Sequence, residues 1–169
     1  MAPDFNALQA EVLAEFPDFK IVNKADSWFM KLVSHFMVSS FMDSFVTTIW
    51  NTVYVPSGWA TYSEAEKCSL LRHERVHMRQ ARKLTFPLFA FLYLLVFLPI
   101  GLAYFRARFE MEAYTESLQA DKDYGATNWN SSEMKAWVAS QFTGPSYGWM
   151  WPFPGTIAKW VDEAVASVR

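Results

Sequence analysis

The chain contains 169 residues, of which 52% are hydrophobic, 18% aromatic and 19% charged. This length is enough for one domain with a buried core, and the composition excludes intrinsic disorder, which requires few aromatic residues and much charge. The 15 Lys and Arg residues against 17 Asp and Glu residues give a net charge of −2. No overall basic field is therefore available to hold nucleic acid, and no nucleic-acid partner is expected.

The single cysteine and the first residues of the chain bear on its location. Cys68 has no second cysteine with which to form an internal disulfide, which agrees with a reducing compartment. The first residues lack the basic start and apolar run of a secretory signal peptide. A cytoplasmic or virion-associated location is expected.

Hydrophobic periodicity and turn residues predict a mainly helical chain with a small β element. In the stretch 45–55, β-branched and aromatic residues predict a strand or hairpin. Ser63 and Glu66 match the S-x-x-E capping box, which predicts the start of a long helix. The predicted elements are a helix at 5–16, a strand at 19–22, a helix at 26–43, a strand or hairpin at 45–55, and helices at 64–83, 106–122, 131–141 and 156–168.

The long helix predicted to begin after the capping box carries the motif His73-Glu74-Arg75-Val76-His77, which has the form H-E-x-x-H. Residues four apart share one face of a helix, so His73 and His77 can both reach one metal ion. Imidazole nitrogen suits zinc, and Glu74 would lie beside an open coordination position as a general base. The third histidine of the chain, His35, lies in an apolar helical pattern and is expected in the core.

A catalytic zinc centre needs a third protein ligand, and the segment Phe109-Glu110-Met111-Glu112-Ala113-Tyr114 offers one. With this segment the chain resembles the gluzincin metallopeptidases, whose H-E-x-x-H is followed on a later helix by E-x-x-A-D or E-x-x-S-D. The resemblance implies Glu110 as the third ligand, and Glu112 is the rival in a slipped alignment. Tyr114 stands where the family has an Asp that orients a ligating histidine, so the orienting group is left unassigned.

The resemblance extends locally to a group of small, poorly characterised metallopeptidase-like proteins of bacteria and their phages. It covers roughly residues 45–120 and implies a zinc-peptidase core without naming a substrate. In zinc peptidases an edge strand beside the site commonly aligns an extended substrate, and Thr47 to Tyr54 is the candidate strand. Tyr147 is a candidate hydrogen-bond donor to an oxyanion.

Residues 84–105 carry no charge and are long enough to span a bilayer. A single crossing would place His77 and Glu110 on opposite sides of the membrane, so a span and the metal site exclude each other. Three interpretations stay open: a buried helical hairpin bent near residues 99–101, an apolar hairpin that contacts a membrane or a protein partner, or a true span with an accidental motif. Pro87 and Pro99 favour broken helices over one rod.

Other polar side chains near the motif have interpretations that do not require a catalytic role. The arginines of the motif helix are expected on a solvated face, paired with acidic residues of the helix at 106–122. Gln80 lies about one turn beyond His77 and is either a partner of the site or polar surface.

The sequence thus predicts a mainly α (α+β) fold, a minimal zincin-like domain over residues 1–169 with a small sheet. The H-E-x-x-H helix would pack on a Glu-bearing helix, and a helical extension would follow over 131–169. The predicted function is a zinc-dependent metallopeptidase that hydrolyses peptide or other amide bonds of a peptide or protein substrate, with Zn²⁺ bound by His73, His77 and Glu110. The alternatives are a catalytically silent, metal-stabilised assembly protein, such as a phage particle component, and a membrane-associated protein.

Overall fold

The computed structural model describes residues 2–35, 41–94, 103–144 and 149–169. Over these residues the chain is mainly helical with a small sheet, which confirms the predicted α+β class. Two compact units are distinguished, Ala2–Met78 and Arg79–Arg169. The single domain over the whole chain stays a prediction.

The elements follow the predicted order with shifted bounds. The helices are α1 (Phe5–Glu15), α2 (Trp28–Ser34), α3 (Phe41–Ser44), α4 (Glu64–Leu84), α5 (Phe86–Leu94), α6 (Tyr104–Asp123), α7 (Ser132–Thr143) and α8 (Pro154–Ser167). The strands are β1 (Lys20–Asn23), β2 (Thr47–Ile49) and β3 (Thr52–Val55). Two short helices, α2 and α3, overlap the helix predicted at 26–43, and residues 36–40 are outside the described part.

The three strands form a mixed sheet in the order β1-β3-β2. β3 pairs parallel with β1, with Ile21 opposite Val53, and antiparallel with β2, with Thr48 opposite Val53. Val53 and Val55 are buried, as the apolar positions of a strand with one covered face should be. The predicted hairpin at 45–55 is therefore confirmed, and β1 adds a third strand to it.

Side-chain caps set the beginnings of the first helix and of the motif helix. The Asp4 carboxylate accepts a hydrogen bond from the Ala7 amide, which starts α1. At the start of α4 the Ser63 hydroxyl accepts from the Glu66 amide, and the Glu66 carboxylate accepts from the Ser63 amide. The predicted capping box is confirmed, and it begins the helix that carries the H-E-x-x-H motif.

The unit Arg79–Arg169 contains an apolar core built by α6, α7 and α8. On α6 the core positions recur three or four residues apart, which places them on one helical face. Facing them are Val138 and Phe142 of α7 and Ile157 and Val161 of α8, all nearly or fully buried. From α6 this core takes Ala107, Met111, Tyr114 and Leu118, and Ala103 joins it directly before the helix begins.

The uncharged segment 84–105 is described only at its two ends. α4 ends at Leu84 and α5 begins at Phe86, after Thr85 adopts a φ of 66°. α5 packs on α6, with the Phe89 and Phe109 rings 5.3 Å apart. The expected bend at residues 99–101 lies outside the described residues. None of the helices in the described ranges has the length and apolar character needed to cross a bilayer.

Candidate metal centre

Buried polar side chains are concentrated on two helices. Among the described residues, all the buried polar or charged side chains except Lys24 belong to α4 or α6. Charged side chains are seldom fully buried without a partner or a metal ion, because leaving water costs them free energy. This concentration therefore marks a candidate functional site. Its members are His73, Glu74, His77 and Gln80 of α4 and Glu110 of α6.

The two histidines of the motif turn the same ring atom towards each other. His73 and His77 lie one helical turn apart on α4, and their Nε2 atoms are 3.3 Å apart. The rings themselves are steeply inclined, with an angle of 74° between their planes. Both imidazoles thus direct Nε2 to one point beside the helix, as the spacing of the motif predicts.

Glu110 of α6 forms, with these two histidines, a group that could hold a metal ion. One ligand atom from each of His73, His77 and Glu110 lies within 4.8 Å of the other two, and all three side chains are buried. The structure therefore brings together the three residues that the sequence proposes as metal ligands. Their role as ligands stays a prediction.

The donor set and one distance both fit zinc. Two imidazole nitrogens and one carboxylate are the ligands of a His₂Glu catalytic zinc site, which keeps a fourth position open. Nitrogens that bind a tetrahedral zinc ion at about 2.0–2.1 Å are separated by roughly 3.3–3.4 Å. The observed separation of 3.3 Å between the Nε2 atoms of His73 and His77 agrees with that value.

Glu112, the rival third ligand, points elsewhere. Its side chain is exposed, and Gln80 donates hydrogen bonds to its Oε2 at 2.9 Å and to the Phe109 carbonyl at 3.1 Å. Gln80 itself is buried, so it is not polar surface. Its two hydrogen bonds connect the end of α4 to α6, at Phe109 and Glu112, which lie on either side of Glu110 in the chain.

Glu74, the candidate general base, is buried and lies in the electrostatic field of a buried lysine. Lys24 follows β1 and has no exposed surface. Burial lowers the pKa of Lys24 to about 8, and the negative charges of Glu74 and Asp43 act against this decrease. The sequence offers no signal for this lysine, because a Lys after a strand is ordinarily exposed.

The carboxylate of Glu110 accepts a hydrogen bond from a tyrosine that the sequence interpretation did not single out. The Tyr93 hydroxyl of α5 donates to Glu110 Oε1. The signal was present: Tyr93 carries the only side-chain hydroxyl in the middle of the uncharged segment, and a buried tyrosine hydroxyl usually finds a partner. Tyr114, which stands at the Asp position of the gluzincin pattern, instead packs in the core against the Trp137 and Phe142 rings.

The expectations for two other side chains, His35 and Arg75, are wrong. His35 is exposed at the end of α2, where its Nδ1 lies 2.7 Å from the Lys31 carbonyl, so it is not a core residue. Arg75 of α4 pairs with α1 rather than with α6. Its Nε donates to Glu15 at 2.8 Å and its Nη1 to Glu11 at 3.3 Å.

The candidate strand for substrate alignment is narrowed by the sheet order. β3 lies between β1 and β2, so its backbone already pairs on both sides. Within the described part of the chain, β2 (Thr47–Ile49) is the strand of the predicted stretch Thr47–Tyr54 that lies at an edge of the sheet. Its role in binding stays a prediction, and Tyr147 lies outside the described residues.

In comparisons with known proteins, no protein family, no curated protein and no solved structure matches this chain.

Proposed function

We propose that this chain is a zinc-dependent hydrolase of peptide or other amide bonds, similar in its site to the gluzincin metallopeptidases. The observation that carries the proposal is the convergence of His73, His77 and Glu110, whose ligand atoms lie within 4.8 Å of one another. The H-E-x-x-H order supports the same assignment, since it places Glu74 directly after the first histidine.

Each residue of the site has a distinct part in the proposed reaction. His73, His77 and Glu110 would hold the ion, as the three protein ligands of a catalytic zinc site do. A bound zinc ion supplies a Lewis acid that lowers the pKa of water towards about 7 and polarises the scissile carbonyl. Glu74 takes a proton from the attacking water and delivers it to the leaving amine.

The proposed setting is cytoplasmic or virion-associated, with peripheral contact to a membrane or a protein. Support for such a peripheral contact comes from the exposed apolar side chains of α5, where Phe91 is 61% and Leu88 46% exposed. They lie three residues apart and therefore share one face of the helix. A net charge of −2 gives no support to a nucleic-acid partner.

A catalytically silent assembly protein, stabilised by the same metal, is the second candidate. It is favoured by large aromatic side chains that are left in water, above all Trp28 at 76% and Trp50 at 56% exposed. Exposed apolar surface of this kind commonly marks a contact with another molecule. In this candidate Glu74 has no chemical part, which separates it from the hydrolase.

Metal analysis and one isosteric substitution test the proposal. Purified chain should contain one zinc per molecule, whereas a hydrogen-bonded histidine pair without an ion would contain none. With a peptide library as the probe and mass spectrometry as the readout, we expect cleavage by the wild type. Glu74→Gln should keep the zinc and lose at least about 100-fold in rate. Cleavage that persists in Glu74→Gln would contradict the assigned base.

Side-by-side substitutions test the choice of the third ligand. Glu110→Ala and His73→Ala should lose zinc, because each removes a donor from a site that has three. Glu112→Ala should keep it, because the Glu112 side chain is exposed and bonded to Gln80. Loss of zinc from Glu112→Ala together with retention in Glu110→Ala would reverse the assignment.

A further inference from the structure

Tyr93 is the polar side chain of α5 that contacts the proposed metal centre. Its hydroxyl donates a hydrogen bond to Glu110 Oε1, and the carboxylate that accepts it is 1% exposed. Tyrosine is a weak acid and stays a donor at neutral pH, while an ionised carboxylate is only an acceptor. The sense of the bond is therefore fixed: Tyr93 donates, and the Glu110 carboxylate, the group that would bind a metal, accepts.

The tyrosine ring is itself held in place from two sides. The Phe89 ring, one turn earlier on α5, has its centroid 5.4 Å from that of Tyr93. The Arg106 guanidinium carbon of α6 lies 4.8 Å from the centre of the Tyr93 ring. A ring fixed by packing and by a cation presents its hydroxyl in one direction, so the hydrogen bond fixes the orientation of the carboxylate.

We propose that Tyr93 is a positioning residue of the metal centre: it orients the Glu110 carboxylate through Oε1 and thereby raises the affinity of the site for zinc. The inference rests on the proposed metal site and deepens it. Groups that hydrogen-bond to metal ligands commonly change metal affinity or activity by about 10- to 100-fold when they are removed. Tyr93 would thus orient the carboxylate ligand, while the group that orients a histidine ligand stays unassigned.

The inference also gives the uncharged segment a part in the site. α5 lies between the helix of the two histidines and the helix of Glu110 in the chain, and it packs on α6. An apolar helix that only filled space would need no hydroxyl at this position. In the proposed arrangement α5 covers the Glu110 carboxylate and adds a hydrogen-bond donor to it.

The test is the zinc affinity of the full-length chain, measured by competition with a chromophoric chelator. Tyr93→Phe keeps the ring, its contact with Phe89 and its place beside Arg106, and removes only the hydroxyl. We expect its dissociation constant for zinc to rise about 10- to 100-fold. Cobalt substitution adds a second readout, because a reoriented carboxylate changes the visible absorption spectrum of bound Co²⁺.

Two matched controls separate positioning from packing. Tyr104→Phe removes a tyrosine hydroxyl from α6 at an exposed position and should bind zinc as the wild type does. Val138→Ala disturbs the core of α6, α7 and α8 without changing a residue that contacts Tyr93, and should lower the melting temperature without changing the zinc affinity. If Tyr93→Phe melts at a lower temperature without metal, the zinc-induced shift in its melting temperature still reports its affinity.

The outcomes distinguish the two proposals. Zinc binding by the wild type and weakened binding by Tyr93→Phe alone would support the positioning role. Equal affinity of Tyr93→Phe and wild type would overturn that role and leave the metal site intact. An equal loss of affinity in Val138→Ala would overturn it too, by assigning the effect to a general loss of stability. A wild type that binds no zinc would overturn the metal site itself.

Discussion

Lys24 is a buried lysine, and its burial has a consequence for the stability of the fold. Its folded pKa of about 8 lies below its ordinary value of 10.5, chiefly because of burial. Between these pH values the unfolded chain binds more protons than the folded chain, so the free energy of unfolding should rise with pH. One pKa unit corresponds to about 1.4 kcal/mol, which gives a rise of up to about 3 kcal/mol across this window.

Urea unfolding at several pH values between 7.5 and 10.5 measures this effect. In Lys24→Met the lysine no longer titrates, so its stability should rise less over the same range than that of the wild type. Lys31→Met, which changes an exposed lysine of α2, should follow the wild type. Parallel curves for wild type and Lys24→Met would refute the interpretation that burial lowers the Lys24 pKa.

Residues whose role depends on neighbours in the chain were predictable, and those that depend on distant contacts were not. His73 and His77 are one helical turn apart, so their convergence follows from helix geometry alone. The charge of Glu74 raises the pKa of Lys24 across a large sequence separation, against the larger effect of burial, and Tyr93 reaches Glu110 from a different helix. No periodicity in the sequence encodes such pairs.

The capping box at the start of α4 controls the element that carries the histidines. Ser63→Ala removes the acceptor for the Glu66 amide and should lower the free energy of unfolding by about 1 kcal/mol. Ser69→Ala makes the same change inside the helix and should be neutral, because alanine has a high helix propensity. Urea unfolding at pH 7 measures both, and equal effects of the two substitutions would contradict the capping role.

The same element has a pH dependence with a definite sign. Hydrogen bonds from the Ser63 side chain and backbone lower the pKa of Glu66 below its ordinary value of 4.5. The stability that Glu66 contributes is therefore present above the unfolded pKa and lost as the pH falls through the folded pKa. Glu66→Gln should be less stable than the wild type at pH 7, by a few tenths of a kcal/mol at this exposed site. The difference should disappear in acid, and a difference that persists there would exclude the ionised carboxylate as its source.

For helices and strands, the sequence correctly predicted the ends that are set by a local capping residue or by a helix-breaking proline. Pro17 follows the end of α1, and the bounds of α4 agree with its capping box. The helix predicted at 26–43 is different, because its apolar periodicity continues while the described helices end at Ser34 and begin again at Phe41. Periodicity alone does not contain the contacts that end a helix, since side chains of the same pattern also suit two shorter helices.

For the unit Arg79–Arg169, the core of α6, α7 and α8 should dominate stability. Phe142 of α7 is fully buried and contacts the Tyr114 ring at a centroid distance of 5.7 Å. Phe142→Ala leaves a large cavity and should cost about 3–5 kcal/mol in the free energy of unfolding. Phe91→Ala makes the same change at an exposed position of α5 and should cost about 0.5 kcal/mol or less. Similar costs for the two would contradict the assignment of this core.

The whole molecule should be stabilised by zinc, because the ligands converge only when α4 and α6 are folded. An ion that binds only the folded chain raises the free energy of unfolding by about 2.7 kcal/mol at 100 times its dissociation constant. For a chain of this size, 1 kcal/mol corresponds to about 2–4 °C in melting temperature, so a shift of roughly 5–10 °C is expected. Chelation should reverse it, and Mg²⁺ should not produce it, because imidazole ligands favour zinc over magnesium.

Substitutions test whether the zinc-induced shift in melting temperature comes from zinc at the proposed ligands or from zinc bound elsewhere. His77→Ala and Glu110→Ala should abolish the zinc-induced shift, because each removes one of three donors. His35→Ala removes an exposed histidine of α2 and should keep the full shift. A shift that survives His77→Ala but not His35→Ala would place the ion at the surface of α2. Because melting temperature requires no substrate, this measurement tests the metal centre independently of the hydrolysis that it is proposed to perform.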